Sequence, residues 1–100
     1  MKNAVGTPII EVKSTSIRGL PHSITQRTSK KGGIERNYYD NLGKQFKQIA
    51  NNNHGNPKMH PYGQRGEHAH DYLYDEKGNL ISRPMRELTE EERKENGDIL

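Results

Sequence analysis

Four of the chain's five histidines, His54, His60, His68 and His70, fall within seventeen consecutive positions that are also rich in glycine and proline. Imidazole titrates near neutral pH, and its neutral nitrogen is a common metal ligand. A cluster of imidazoles therefore points to metal binding or to acid–base catalysis. The sharpest detail is His68-Ala69-His70. On a strand, residues i and i+2 share a face, so the two rings stand side by side, with Tyr72 and Tyr74 continuing that face. As metal ligands, His68 and His70 are joined by His54 or His60 folding over as a third imidazole, and Asp71 or Glu67 supplies a carboxylate to the ion or to the orientation of its ligands. The chain has no cysteine. The donor set then suits a divalent metal such as zinc, with nickel and copper also open. In acid–base catalysis, one of His68 and His70 takes a proton from a ribose 2′-hydroxyl and the other gives one to the leaving oxygen, with Glu67 in the same catalytic group. Arg65 and Lys58 then neutralise the phosphate. A third reading needs no ligand: histidines in a segment without regular partners hydrogen-bond the backbone and hold the loop in shape.

The elements that must position these residues are legible from turn and cap chemistry. Pro57, Pro61, Gly63 and Gly66 prevent the histidine stretch from continuing a helix or strand, so it reads as a long shaped loop. Before it, IERNYYD leads through NLGK into QFKQI, the pattern of a β-hairpin. A second hairpin follows in HDYLYD, EKGN and LISR, with Tyr74, Asp75 and Gly78 standing 35 positions after Tyr39, Asp40 and Gly43. In each, the aspartate bonds its own downstream backbone and the glycine takes the positive φ that closes the turn. Thr89 as N-cap, Glu92 three residues on and Gly97 at the C′ position predict a short helix over about Glu90 to Asn96, pinned by Leu88, Ile99 and Leu100. The five tyrosines and Phe46 supply the aromatic core, because there is no tryptophan. Arg36, Arg83 and Arg86 are expected in surface ion pairs with the acidic C-terminal helix, or against phosphate.

At 100 residues, 28% of them apolar, the chain can build one domain with a thin core. Residues 1–33 are mostly Ser, Thr, Lys, Gly and Pro and end in SKKGG, which reads as a basic, partly mobile arm, His22 being a surface residue within it. Residues 34–100 form the domain proper. The expected fold is α+β: a small β meander of two hairpins joined by the histidine loop, one short C-terminal helix, and the flexible arm. Residues 1–50 carry nine Lys or Arg against three acids, and residues 51–100 seven against ten. The basic half suits phosphate backbones or an acidic protein partner. With no long apolar run and no apolar leader, a membrane role is excluded and a cytoplasmic location is expected.

The run HGNPKMHPYGQRGEHAHDY from His54 to Tyr72, with the Tyr-Tyr-Asp hairpin before it and RELTEEERKENGDIL after it, resembles a small module of Gram-positive prophages and of polymorphic-toxin-like protein tips. The two hairpins resemble single copies of the Tyr-Asp repeats of Rhs-type and teneurin-like β shells. The repeat resemblance implies a β-rich fold and carries over no functional residue. The module resemblance implies a setting of mobile elements and bacterial conflict, where tip modules are often nucleases. Two functions follow as expectations. One is a phage- or toxin-associated nuclease acting on RNA through His68 and His70, with His54 and His60 assisting, metal-free or metal-assisted. The other is a non-enzymatic phage accessory or inhibitor module that binds a bacterial protein target or nucleic acid through the basic arm, including Arg27, Lys30 and Lys31, and the histidine loop.

Overall fold

The short segments that alternate in sequence pair into strands around the two Asp-to-Gly turns. The computed structural model describes all 100 residues. It contains, in chain order, β1 (Ile10–Glu11), β2 (Ile24–Thr28), β3 (Ile34–Tyr39), β4 (Gln45–Ala50), β5 (His68–Asp71), β6 (Leu73–Tyr74), β7 (Leu80–Ser82), β8 (Met85–Arg86) and one helix, α1 (Glu90–Glu95). Six strands form a sheet in the order β1-β2-β3-β4-β5-β8, and β6 pairs with β7 in a separate ribbon. Only β1–β2 is parallel. The architecture is α+β and mostly sheet.

Two features differ from the sequence expectation. Residues 1–33 are not an arm apart from the domain: β1 and β2 belong to the sheet, and SKKGG is the turn between β2 and β3. Ala4 N donates to Glu95 O at 2.9 Å, which ties the N-terminal segment to the end of α1. Thr25 and Gln26 are buried through bonds to Asn37 and Arg36 rather than by apolar character, so hydrophobic patterning does not reveal β2. Secondly, HDYLYD is not one strand of a meander. It breaks at Tyr72, leaving His68–Asp71 in the main sheet between β4 and β8 and Leu73–Tyr74 in the ribbon.

Alternation gives the sheet two unlike faces. Ile24, Tyr38, Ile49 and Ala69 face α1 and pack with Leu88 and Leu100. The helix starts as a capping box in which Glu92 N donates to the Thr89 hydroxyl and Thr89 N donates to the Glu92 carboxylate. Burial alone would raise the proton affinity of Glu92, but bonds from Arg86, Thr89 and Lys47 outweigh it and pull its pKa down to about 2. Gly97 is not in the left-handed region, so the helix ends at Asn96 without the expected glycine cap. The opposite face carries Thr25, Arg27, Asn37, Gln48, His68 and His70, with Ala50 and Met85 beside the histidines, and is mostly polar.

The two turns use the same chemistry. Asp40 Oδ1 accepts from Leu42 N and Lys44 N, and Asp75 Oδ1 accepts from Lys77 N and Asn79 N. Gly43 and Gly78 sit at φ 77° and 85°. Their surroundings differ, however: a Cβ on Gly43 would lie 2.3 Å from Gly19 O, whereas one on Gly78 meets only the flexible Lys44 Nζ at 3.4 Å. Gly78→Ala should cost about 1–2 kcal/mol through the left-handed backbone. Gly43→Ala should cost roughly 1–3 kcal/mol more, through overpacking against the backbone. Urea unfolding of both variants checks the difference, and equal losses would contradict it.

Candidate metal centre

The loop that leaves β4 begins with three asparagines, each with a separate task. Asn51 accepts from Ile34 N and donates to Ile99 O, Asn52 accepts from His54 N, and Asn53 accepts from Gly55 N. These bonds turn the chain sharply, with His54 at φ 55°. The returning leg meets the outgoing one at Gly66, where a Cβ would lie 2.3 Å from the Asn53 Cβ. Glycine at 66 is what lets the two legs approach and sets His54 over the start of β5.

Because of that closure the histidines converge on the face of the sheet away from α1. One nitrogen from each of His54, His60 and His68 lies within 4.8 Å of the others. The His68 ring is 5.2 Å from His54, 4.8 Å from His60 and 5.0 Å from His70, centre to centre. Three of the rings are oriented by backbone carbonyls: His60 Nδ1 lies 2.9 Å from Asn56 O, His68 Nδ1 2.7 Å from Gly66 O, and His70 Nδ1 3.1 Å from Arg83 O. A carbonyl only accepts, so each Nδ1 carries the proton and each Nε2 keeps its lone pair. Burial lowers the proton affinity of His68 and of His70, outweighing the carbonyl bonds, and so favours their neutral rings. His68 is fully buried, and its Nε2 is the one buried side-chain polar atom with no hydrogen-bond partner.

Orphaned buried polar atoms are rare, and an imidazole lone pair facing two further imidazoles is the arrangement that binds a transition metal. The backbone acceptors behind the rings are the usual outer partners of such ligands. Bonds of about 2.0–2.1 Å to a tetrahedral ion bring ligand nitrogens to roughly 3.4 Å apart. Of the three rings, His54 and His60 lie on the loop and are not buried. The residues therefore fit a three-imidazole site for a divalent metal.

The other candidates fall in different places. His70 stands beside the three-ring group and outside its ligand set. Asp71, one residue on, projects from the opposite face, where Arg86 pairs with it at 2.7 Å while also holding Glu92. Glu67 is buried, packs against Gly63 and accepts from Arg65 N at 3.1 Å, which makes it a brace of the loop. Arg65 and Lys58 are exposed on that loop, and neither forms an ion pair.

A cleft of about 390 Å³, bounded by the segment 13–17 and by Arg27, Glu35, Gln48, Tyr72, Leu80 and Arg83, adjoins His70 through Gln48, its partner across the strands, and Arg83, whose carbonyl meets its ring. A second polar hollow of about 500 Å³, with Lys31, Asn52 and His54 in its wall, shares Glu35 with the first. Most of this surface was not apparent in the sequence. Its one trace there is the placement of amides, Asn37, Gln45 and Gln48, at strand positions where a core would have apolar residues. No protein-family model, curated protein or solved structure matches the chain.

Proposed function

We propose that this protein is a metal-assisted nuclease acting on RNA, in the prophage or toxin-like setting that its histidine segment resembles. The observation that carries the reading is the unpartnered, buried Nε2 of His68, in a ring grouped with those of His54 and His60. In it His54, His60 and His68 hold the ion, which supplies Lewis-acid stabilisation of the phosphoryl oxygens. His70, adjacent and with its Nε2 free, takes the proton of the ribose 2′-hydroxyl. The 2′-oxygen bonds to phosphorus, the bond to the 5′-oxygen breaks, and solvent protonates the leaving oxygen. The products are a 2′,3′-cyclic phosphate and a 5′-hydroxyl end. Arg65 and Lys58 bring phosphate charge to the loop side, and Arg83 brings it to the cleft side.

The test is cleavage of an unstructured, end-labelled RNA by the full chain loaded with Zn²⁺ or Mn²⁺. Chelator should stop the reaction, His60→Ala should abolish it, and His70→Ala should lower the rate about 10²–10⁴-fold, the usual contribution of a general base. Cleavage indifferent to both substitutions would remove the reading. Complete burial of His68 favours a second reading, in which the ion pins the loop of a non-enzymatic accessory or inhibitor module. RNA bound by the metal-loaded protein but left intact would select it.

A further inference from the structure

We infer that the cleft beside His70 is a nucleotide subsite that selects guanine. The inference takes its biological sense from the nuclease reading, but its physical basis is separate. Gln45 Nε2 and Gln48 Nε2 both donate to Asn37 Oδ1 at 2.9 Å. Asn37 is itself held by Thr15 and Thr25, so the orientation of the two glutamine amides is set from behind. Gln45, 1% exposed, packs behind the wall, while Gln48 lines the cleft with its NH₂ group turned to Asn37, which leaves its carbonyl oxygen as the group open to a donor. Glu35 adds a carboxylate to the same wall, one of whose oxygens is bonded to Arg27 at 3.1 Å.

A wall of acceptors recognises a donor edge. On their pairing edges, adenine and cytosine each place an acceptor beside their amino group, and uracil flanks its single N–H with carbonyls. Guanine alone offers two adjacent donors, N1–H and the 2-amino group. The rest of the cleft fits the rest of a nucleotide. The Arg83 guanidinium lies over the buried Tyr72 ring, 5.0 Å from its centre, and so offers the cleft a planar cation against which a base can stack. Lys13, at the rim, forms no ion pair and is free to meet phosphate. A cavity of about 390 Å³ accepts one nucleotide, within the roughly 300–1,000 Å³ typical of small-molecule sites. Its position next to His70 would place the bond beside a bound guanosine at the histidine group.

The experiment is titration of the metal-free full chain with guanosine, adenosine, cytidine and uridine 5′-monophosphates, followed by amide chemical shifts. Guanosine monophosphate should bind at least about ten-fold more tightly than the other three, as expected for a paired donor contact. Its shifts should map to Gln48, Tyr72 and Arg83. Gln48→Leu should erase the preference, and Lys13→Ala, an exposed change that leaves the fold intact, should weaken all four nucleotides alike. Equal binding of the four, or no binding, overturns the inference. Binding of guanosine monophosphate without RNA cleavage would retire the nuclease reading and leave this one standing, whereas cleavage with no guanine preference would do the reverse.

Discussion

One equivalent of Zn²⁺ added to metal-stripped protein should raise the thermal unfolding midpoint by ten degrees or more. A ligand present at a hundred times its dissociation constant adds about 2.7 kcal/mol when it binds only the folded state. In a domain of this size each kcal/mol shifts the midpoint by roughly 4–8 °C. His54→Ala combined with His60→Ala should abolish the gain while leaving the metal-free midpoint within a few degrees of wild type, because both rings lie on the loop and neither belongs to the core. His68→Ala is the poorer probe, since its ring is fully buried and its loss is felt without metal. His70→Ala should keep most of the gain, because that ring is outside the ligand set. A Zn²⁺ effect of full size in the double variant would place the ion elsewhere on the chain.

What could be read from the sequence and what could not divide along a physical line. The turns at Asp40–Gly43 and Asp75–Gly78 and the Thr89–Glu92 capping box are written in residues three or four apart, and local chemistry suffices to place them. The shared face of His68 and His70 follows from the strand period. That Asp71 points the other way follows from the same period, but which loop histidines reach the face depends on the β4–β5 register and on the closure of the loop at Gly66. That information joins residues far apart in the chain, Asn53 with Gly66 and Ala50 with His68, and leaves no local trace. The polar face of the sheet was hidden for a related reason. Asn37, Gln45, Gln48 and Thr25 bond one another across strands, so residues that read singly as exposed are buried together.

Arg36 shows the consequence at its largest, and Arg36→Ala should cost about 2–5 kcal/mol, the loss expected when a buried side chain is truncated to leave a cavity and unpaired buried acceptors. The sequence suggested a surface ion pair, yet Arg36 is 1% exposed. Its Nε donates to Gln26 at 2.9 Å, Nη1 donates to Asn96 at 3.0 Å and to Asp98 at 2.9 Å, and Nη2 donates to the other Asp98 oxygen at 2.6 Å. One side chain thus joins β2, β3 and the turn after α1, in a protein whose core cluster on that face has only four buried apolar residues, Tyr38, Ile49, Ala69 and Leu88. Truncation leaves a cavity, strands Gln26 and Asn96, and removes the partner of Asp98. Against a total stability of roughly 5–15 kcal/mol, such a loss lowers the urea midpoint severely or unfolds the chain at room temperature. Asp98→Asn, which leaves the guanidinium its other acceptors, should cost distinctly less. The pH dependence separates the ion pair from simple packing. The Arg36 guanidinium holds the Asp98 carboxyl below its usual range, so the folded state releases this proton more readily than the unfolded chain does. The resulting stability is present above the ordinary carboxylate range, near pH 4, and is lost as pH falls below it. Urea unfolding between neutral and acid pH should show the wild type losing stability more steeply than Asp98→Asn. Parallel pH profiles for the two would mean that the pair contributes by shape alone.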